Sequence, residues 1–173
     1  MTVIDIPADV PAGFARHPRR SPLTEPWEPI YFKATPGAYI LGLLLAEAHT
    51  NSRGLIHGGL IAALADNAMG LSCSLKGNLS GIVTINLSVD YLGSAKIGQW
   101  LEIDTNFMKI GGSICFAQCL VSADGEPCAR ANATFKIPNR RPLCCRRLRR
   151  SETPVRLRDH QVGEGPDLCR QQA

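Results

Sequence analysis

Apolar residues recur along the middle of this chain in two different rhythms. Residues 58–75 form the longest predicted helix, and within it Leu60-Ile-Ala-Ala-Leu-Ala65 is apolar on every side. A helix that is apolar all round is a buried one. Lys76-Gly77-Asn78 supplies a basic last turn and a stop. Before the helix, residues 30–37 read as a strand or lead-in, residues 38–48 as a largely buried β-compatible run, and residues 49–54 as a loop. After it, residues 81–92 alternate. Ile82, Thr84, Asn86, Ser88 and Asp90 are expected on one side, and Val83, Ile85, Leu87, Val89 and Tyr91 on the other. Further strands are predicted over 99–110, 113–123 and 128–137, separated by the hairpin-type dipeptides Gly111-Gly112 and Asp124-Gly125. One long helix, with one or two strands before it and about four after, describes an α+β domain in which an antiparallel sheet wraps a single helix.

The two ends carry neither rhythm. Residues 1–29 hold six prolines, which interrupt any long helix and predict an extended arm with room for one short helix. Residues 139–173 contain nine Arg, three Cys and three Pro but no Lys and no aromatic residue, and they predict a disordered or loosely docked tail. The expected organisation is therefore an arm over 1–29, a domain over 30–138 and an Arg-rich tail over 139–173.

Charge follows the same division. The net charge of +4 conceals 10 Lys/Arg against 11 Asp/Glu over residues 1–138, which is −1, and 9 Arg against 4 Asp/Glu beyond, which is +5. A nearly neutral domain argues against nucleic acid as its partner, and a solvated charge run is the simplest account of the tail. No run reaches the length of a membrane span. The first residues lack a basic start followed by an apolar stretch, so no signal peptide is expected. The chain has seven cysteines, and Cys73, Cys115, Cys119 and Cys128 fall in apolar or strand-like segments, as reduced core residues of a cytoplasmic protein would. Cys144, Cys145 and Cys169 lack zinc-type spacing, so no metal site is expected.

The candidate chemistry lies at the start of the helix. His57-Gly58-Gly59 precedes it, where the first helical N–H groups have no intrahelical partner and can hold an oxyanion. Asp66 follows about two turns later in the apolar segment, where a buried carboxylate is costly unless paired or put to use. An oxyanion site followed by a carboxylate supplies the parts of an acyl-transfer centre. Asp66 would act as a general base on water or attack the carbonyl itself. A structural Asp at a dimer interface is the plainer alternative.

The run Asn51-x-x-Gly54-x-x-His57-Gly58-Gly59-x-x-x-x-Leu64-x-Asp66 resembles the hotdog-fold acyl-CoA thioesterases of the phenylacetate-pathway (PaaI-type) branch of the 4-hydroxybenzoyl-CoA thioesterase superfamily. Residues 83–98 resemble the strand and turn that follow the central helix in that family, and the likeness spans roughly residues 30–138. It implies the hotdog fold and hydrolysis of an acyl-CoA to a carboxylic acid and free CoA, with CoA as part of the substrate and no separate cofactor. It implies catalytic roles for Asp66 and for Gly58, whose N–H would meet the thioester oxygen. His57 would position the loop or polarise the carbonyl, and Asn51 would donate to the carbonyl or hold water. Thr84 would orient water, in a position where the family often has Ser. It also implies substrate contacts from Gly59, from Asn67, Met69 and Gly70 at the acyl group, and from Lys109, Gly111, Gly112 and Ser113 along a CoA groove. In such proteins the site spans a homodimer, which can pair into a homotetramer. A non-catalytic acyl-CoA-binding protein, either a sensor or a lapsed enzyme, is the alternative. The intact Asp66 and the absence of a helix-turn-helix pattern in the arm weigh against it.

Overall fold

A computed structural model describes residues 7–19 and 21–138. The chain divides into units 1–140 and 141–173, and everything described lies in the first. The expectation of a disordered or loosely docked tail over 139–173 falls outside the described residues.

The elements run β1 (Ala15–Arg16), β2 (Tyr31–Thr35), β3 (Ala38–Leu44), α1 (Gly58–Gly77), β4 (Val83–Tyr91), β5 (Trp100–Ile110), β6 (Ile114–Ala123) and β7 (Glu126–Lys136). Short 3-10 turns occupy Glu25–Trp27 and Glu47–His49. The seven strands form one antiparallel sheet in the order β1-β2-β3-β5-β6-β7-β4, which leaves β1 and β4 as its edges. This is the hotdog architecture, with α1 lying in the concavity of the sheet.

Local chemistry accounts for the helix ends. His57 Nδ1 accepts from the Gly59 N–H at 2.8 Å, capping the first turn. At the other end Asn78, at φ 46°, takes the left-handed cap position that a glycine often fills. The helix can approach the sheet closely because the inward residues beneath it are small: Cys115, Ala117 and Cys119 on β6, and Ala129, Ala131 and Ala133 on β7. Buried Ser72 fastens α1 to β3, accepting from the Tyr39 N–H at 3.0 Å and donating to the Tyr39 carbonyl at 3.3 Å. The four described cysteines are unpaired and buried. Burial pushes the Cys73 and Cys119 thiols up to about 12.

The Pro-rich arm is woven into the sheet. Val10 and Phe14 pack with Tyr31 and Trp100 on the face opposite α1, with the Phe14 and Trp100 rings 5.1 Å apart. β1 then pairs with the β2 edge, Ala15 opposite Phe32 and Arg16 opposite Tyr31. The chain continues onto the helix side, where His17 packs edge-on against Phe32 at 5.6 Å and Thr24 is buried. The arm thus passes from one face of the sheet round its edge to the other.

Candidate active site

The centre of the site is a hydrogen bond between a helix and an edge strand. Thr84 Oγ1 donates to Asp66 Oδ1 at 2.8 Å, while Oδ2 has no hydrogen-bond partner among the described residues. Asp66 is half-buried and lines a groove of about 240 Å³ with Asn67, Gly70, Thr84 and Phe135. The apolar run around it predicted deeper burial. The sheet leaves one stripe of α1 uncovered, and Ala62, Ala63, Asp66, Asn67 and Gly70 on that stripe are all half-buried, whereas Leu64 and Ala65 face the core.

How Thr84 comes to face the helix is not what simple alternation predicts. The β4–β7 register shifts between Thr84 and Asn86, so Ile85 is an extra residue on β4. Such a bulge reverses the parity of the side chains beyond it. Thr84 points at Asp66 before the bulge, and Leu87, Val89 and Tyr91 turn to the same helix face after it. The expected assignment of Thr84 and Tyr91 to opposite sides is therefore corrected.

The same parity change delivers Tyr91, which no sequence motif marked. Its hydroxyl donates to the Gly58 carbonyl at 2.7 Å. The Gly58–Gly59 peptide is thereby held at both ends, its oxygen by Tyr91 and its N–H by His57 Nδ1. A Cβ on Gly58 would lie 3.0 Å from the Tyr91 ring, which explains the glycine. The Gly58 N–H has no acceptor among the described residues and stands at the positive end of α1. Because His57 Nδ1 accepts a hydrogen bond, the neutral ring carries its proton on Nε2.

The preceding loop is tightly shaped. Asn51 Oδ1 accepts from the Arg53 and Leu55 N–H groups at 2.9 and 3.3 Å, an Asx turn, and its Nδ2 has no partner among the described residues. Gly54, at φ 73°, takes a conformation that a side chain would strain. Buried His49 anchors the loop. Its carbonyl accepts from the His57 N–H at 2.9 Å, and its Nδ1 accepts from the Ala46 N–H at 2.9 Å. Burial pushes the His49 pKa down, partly offset by a hydrogen bond to the Trp27 backbone.

Within one chain these groups form two clusters. Asp66 and Thr84 make one; Asn51, His57, Gly58 and Gly59 make the other, eight residues away along α1, which is about 12 Å at 1.5 Å per residue. Asn67 and Gly70 line the Asp66 groove, and Asn67 Nδ2 donates to the Ala63 carbonyl at 2.9 Å. Met69 is a correction. At 0% exposure it lies in the core, because helical geometry turns it about 90° from the centre of the stripe that Ala62, Ala63, Asp66, Asn67 and Gly70 form. Lys109, Gly111, Gly112 and Ser113 do not reach Asp66 in one chain. Their turn lies at the far end of α1, where Lys76 Nζ donates to the Met108 carbonyl at 3.4 Å. Among the described residues no group of three or more His, Cys, Asp or Glu could hold a metal ion. No described helix is long and apolar enough to cross a membrane.

Known proteins resemble this chain in sequence and in fold. The thioesterase superfamily model matches residues 53–129. A candidate esterase of Pseudomonas aeruginosa is 31% identical over 132 residues, covering 75% of this chain and 98% of that protein. Human acyl-coenzyme A thioesterase 13 is 35% identical over 110 residues, covering 61% of this chain and 77% of that protein. The crystal structure of zebrafish thioesterase superfamily member 2 superposes with a TM-score of 0.57 at 25% identity, covering 62% of this chain and 80% of that one.

Proposed function

This chain belongs to the thioesterase superfamily, and from that premise we propose that it is an acyl-CoA thioesterase whose active site forms across a homodimer. The observation that carries the reading is Asp66, held by Thr84 at 2.8 Å with its second oxygen open to a groove. Asp66 takes a proton from water, or adds to the thioester carbon, and Thr84 fixes the carboxylate's orientation. The Gly58 N–H receives the negative charge that develops on the thioester oxygen. Asn51 Nδ2 and His57 Nε2–H are further donors on the same loop. Free CoA leaves as the thiol once the C–S bond breaks.

Two features support the dimer. The separation of about 12 Å between Gly58 and Asp66 is too long for one thioester to meet both in a single chain. Strand β4 is a nine-residue edge with Val83 62%, Ile85 56% and Tyr91 53% exposed, and a long apolar edge of this kind calls for a partner. Pairing two copies would bring the Gly58 loop of one to the Asp66 groove of the other. The motif from Asn51 to Asp66 favours the PaaI-type branch. The four unpaired, buried cysteines favour a reducing compartment, the cytoplasm.

The test is hydrolysis of an acyl-CoA panel, from acetyl through medium-chain to phenylacetyl and hydroxybenzoyl, followed by loss of thioester absorbance. Asp66→Asn is measured beside the wild type, with mass determined by light scattering. We expect turnover that falls at least a hundredfold in the variant, with the dimer intact. No turnover together with saturable acyl-CoA binding would replace the enzyme with a sensor or a lapsed enzyme.

A further inference from the structure

We propose that residues 17–19 and 21–24 of the arm form one wall of an acyl chamber beside Asp66, built for a short apolar acyl group of about six carbons or a single ring. The proposal rests on the thioesterase reading and adds to it the substrate class and the segment that sets it. The arm crosses from the outer face of the sheet to the helix side through β1 and leaves a hollow of about 200 Å³ between itself and α1. Ile30, Leu41, Leu64 and Leu71 make the aliphatic side of this hollow, and His17, Arg19, Ser21 and Thr24 make the arm side. Arg19, Asn67 and Leu71 also line the Asp66 groove, so the two spaces adjoin along one stretch of α1.

Size sets the occupant. A cavity of about 150 Å³ lined by aliphatic side chains holds a benzene ring. The hollow here is slightly larger. It therefore accepts a ring or a hexanoyl chain. The arm wall is fixed rather than loose. Ser21 Oγ accepts from the Thr24 N–H at 3.3 Å and lies 3.0 Å from Thr24 Oγ1, and the His17 N–H donates to the Ile30 carbonyl at 2.8 Å.

The closing experiment compares wild type with Leu71→Trp, Leu71→Ala and Ser21→Trp. Each is checked for native melting, then assayed on acetyl-, hexanoyl-, phenylacetyl- and decanoyl-CoA. Binding of hexanoyl- and acetyl-CoA is measured separately by calorimetry in an Asp66→Asn background. Each buried methylene is worth roughly fourfold in binding, so four of them leave ample range. Wild type is expected to favour hexanoyl- and phenylacetyl-CoA. Leu71→Trp, which fills the chamber from the helix, and Ser21→Trp, which fills it from the arm, should each lower the hexanoyl-to-acetyl ratio at least tenfold, in kcat/KM and in affinity. Leu71→Ala should raise the decanoyl-to-hexanoyl ratio. Folded variants whose ratios stay within twofold of wild type would overturn the chamber while leaving the thioesterase reading intact. A wild type that hydrolyses nothing but shows the calorimetric differences would overturn the enzyme and leave the chamber standing.

Discussion

Replacing Thr84 by valine keeps the shape of the side chain and removes the one hydrogen bond that orients Asp66. A hydrogen bond to a charged group contributes roughly 1.5–3 kcal/mol, and because this pair opens onto a groove we take the lower end, about 1.5 kcal/mol. If that stabilisation acts in the transition state, kcat falls about tenfold, while a Thr→Val change at this exposed position leaves folding stability within about 0.5 kcal/mol. The informative assay is a double-mutant cycle of Thr84→Val and Asp66→Asn on the best acyl-CoA. Asp66→Asn alone should cost between about a hundredfold and ten-thousandfold. In the Asp66→Asn background the valine should change kcat less than twofold, because the hydroxyl would have no carboxylate left to orient. An undiminished tenfold loss in that background would refute the argument, since Thr84 would then act on substrate or water independently of Asp66.

Gly58→Ala places a Cβ 3.0 Å from the Tyr91 ring and disturbs the donor peptide, so we expect kcat to fall at least tenfold. Tyr91→Phe, which keeps the ring and loses the 2.7 Å bond, should give a smaller loss; an unaltered kcat in both would remove the Gly58 loop from the mechanism. Gly42→Ala would drive a Cβ into the Trp100 ring and should cost more than about 2 kcal/mol in urea unfolding, with wild-type stability as the contrary result. His49 has a lowered pKa, so the unfolded chain binds the proton more readily below the ordinary value of 6.5. Its contribution to stability is therefore complete above about pH 6.5 and is lost as pH falls towards the folded-state value. Urea midpoints between pH 7.5 and 5.5 should show a decline that His49→Gln flattens. Native protein should expose at most three of its seven thiols to a disulfide reagent, because the four described cysteines are buried and unreactive; reaction of more than three would contradict the packing.

Much of the fold was legible in the sequence because its signals are local. The apolar run of α1 between His57 and Asn78 marked the helix to within two residues of Gly58–Gly77. Asp124-Gly125 takes positive φ at both positions, 49° and 86°, as the hairpin dipeptide predicted. The tight loop, the helix start and the carboxylate two turns on were legible in the run from Asn51 to Asp66, because they are fixed by residues near one another in the chain.

Other features were decided only when distant segments met. The bulge at Ile85 arises from pairing β4 with β7, and no property of β4 alone shows that Thr84 and Tyr91 share a face. The resemblance implied Met69 at the acyl group, yet the sheet takes its side of the helix into the core. The arm read as an extended Pro-rich stretch, yet Phe14 docks on Trp100 and carries residues 17–19 and 21–24 round the sheet edge to the helix. The physical division is one of range. Backbone conformation and hydrophobic period act over a few residues and are written in the sequence. Which face a side chain presents, and what stands opposite it, depends on strand register and packing between segments up to about a hundred residues apart.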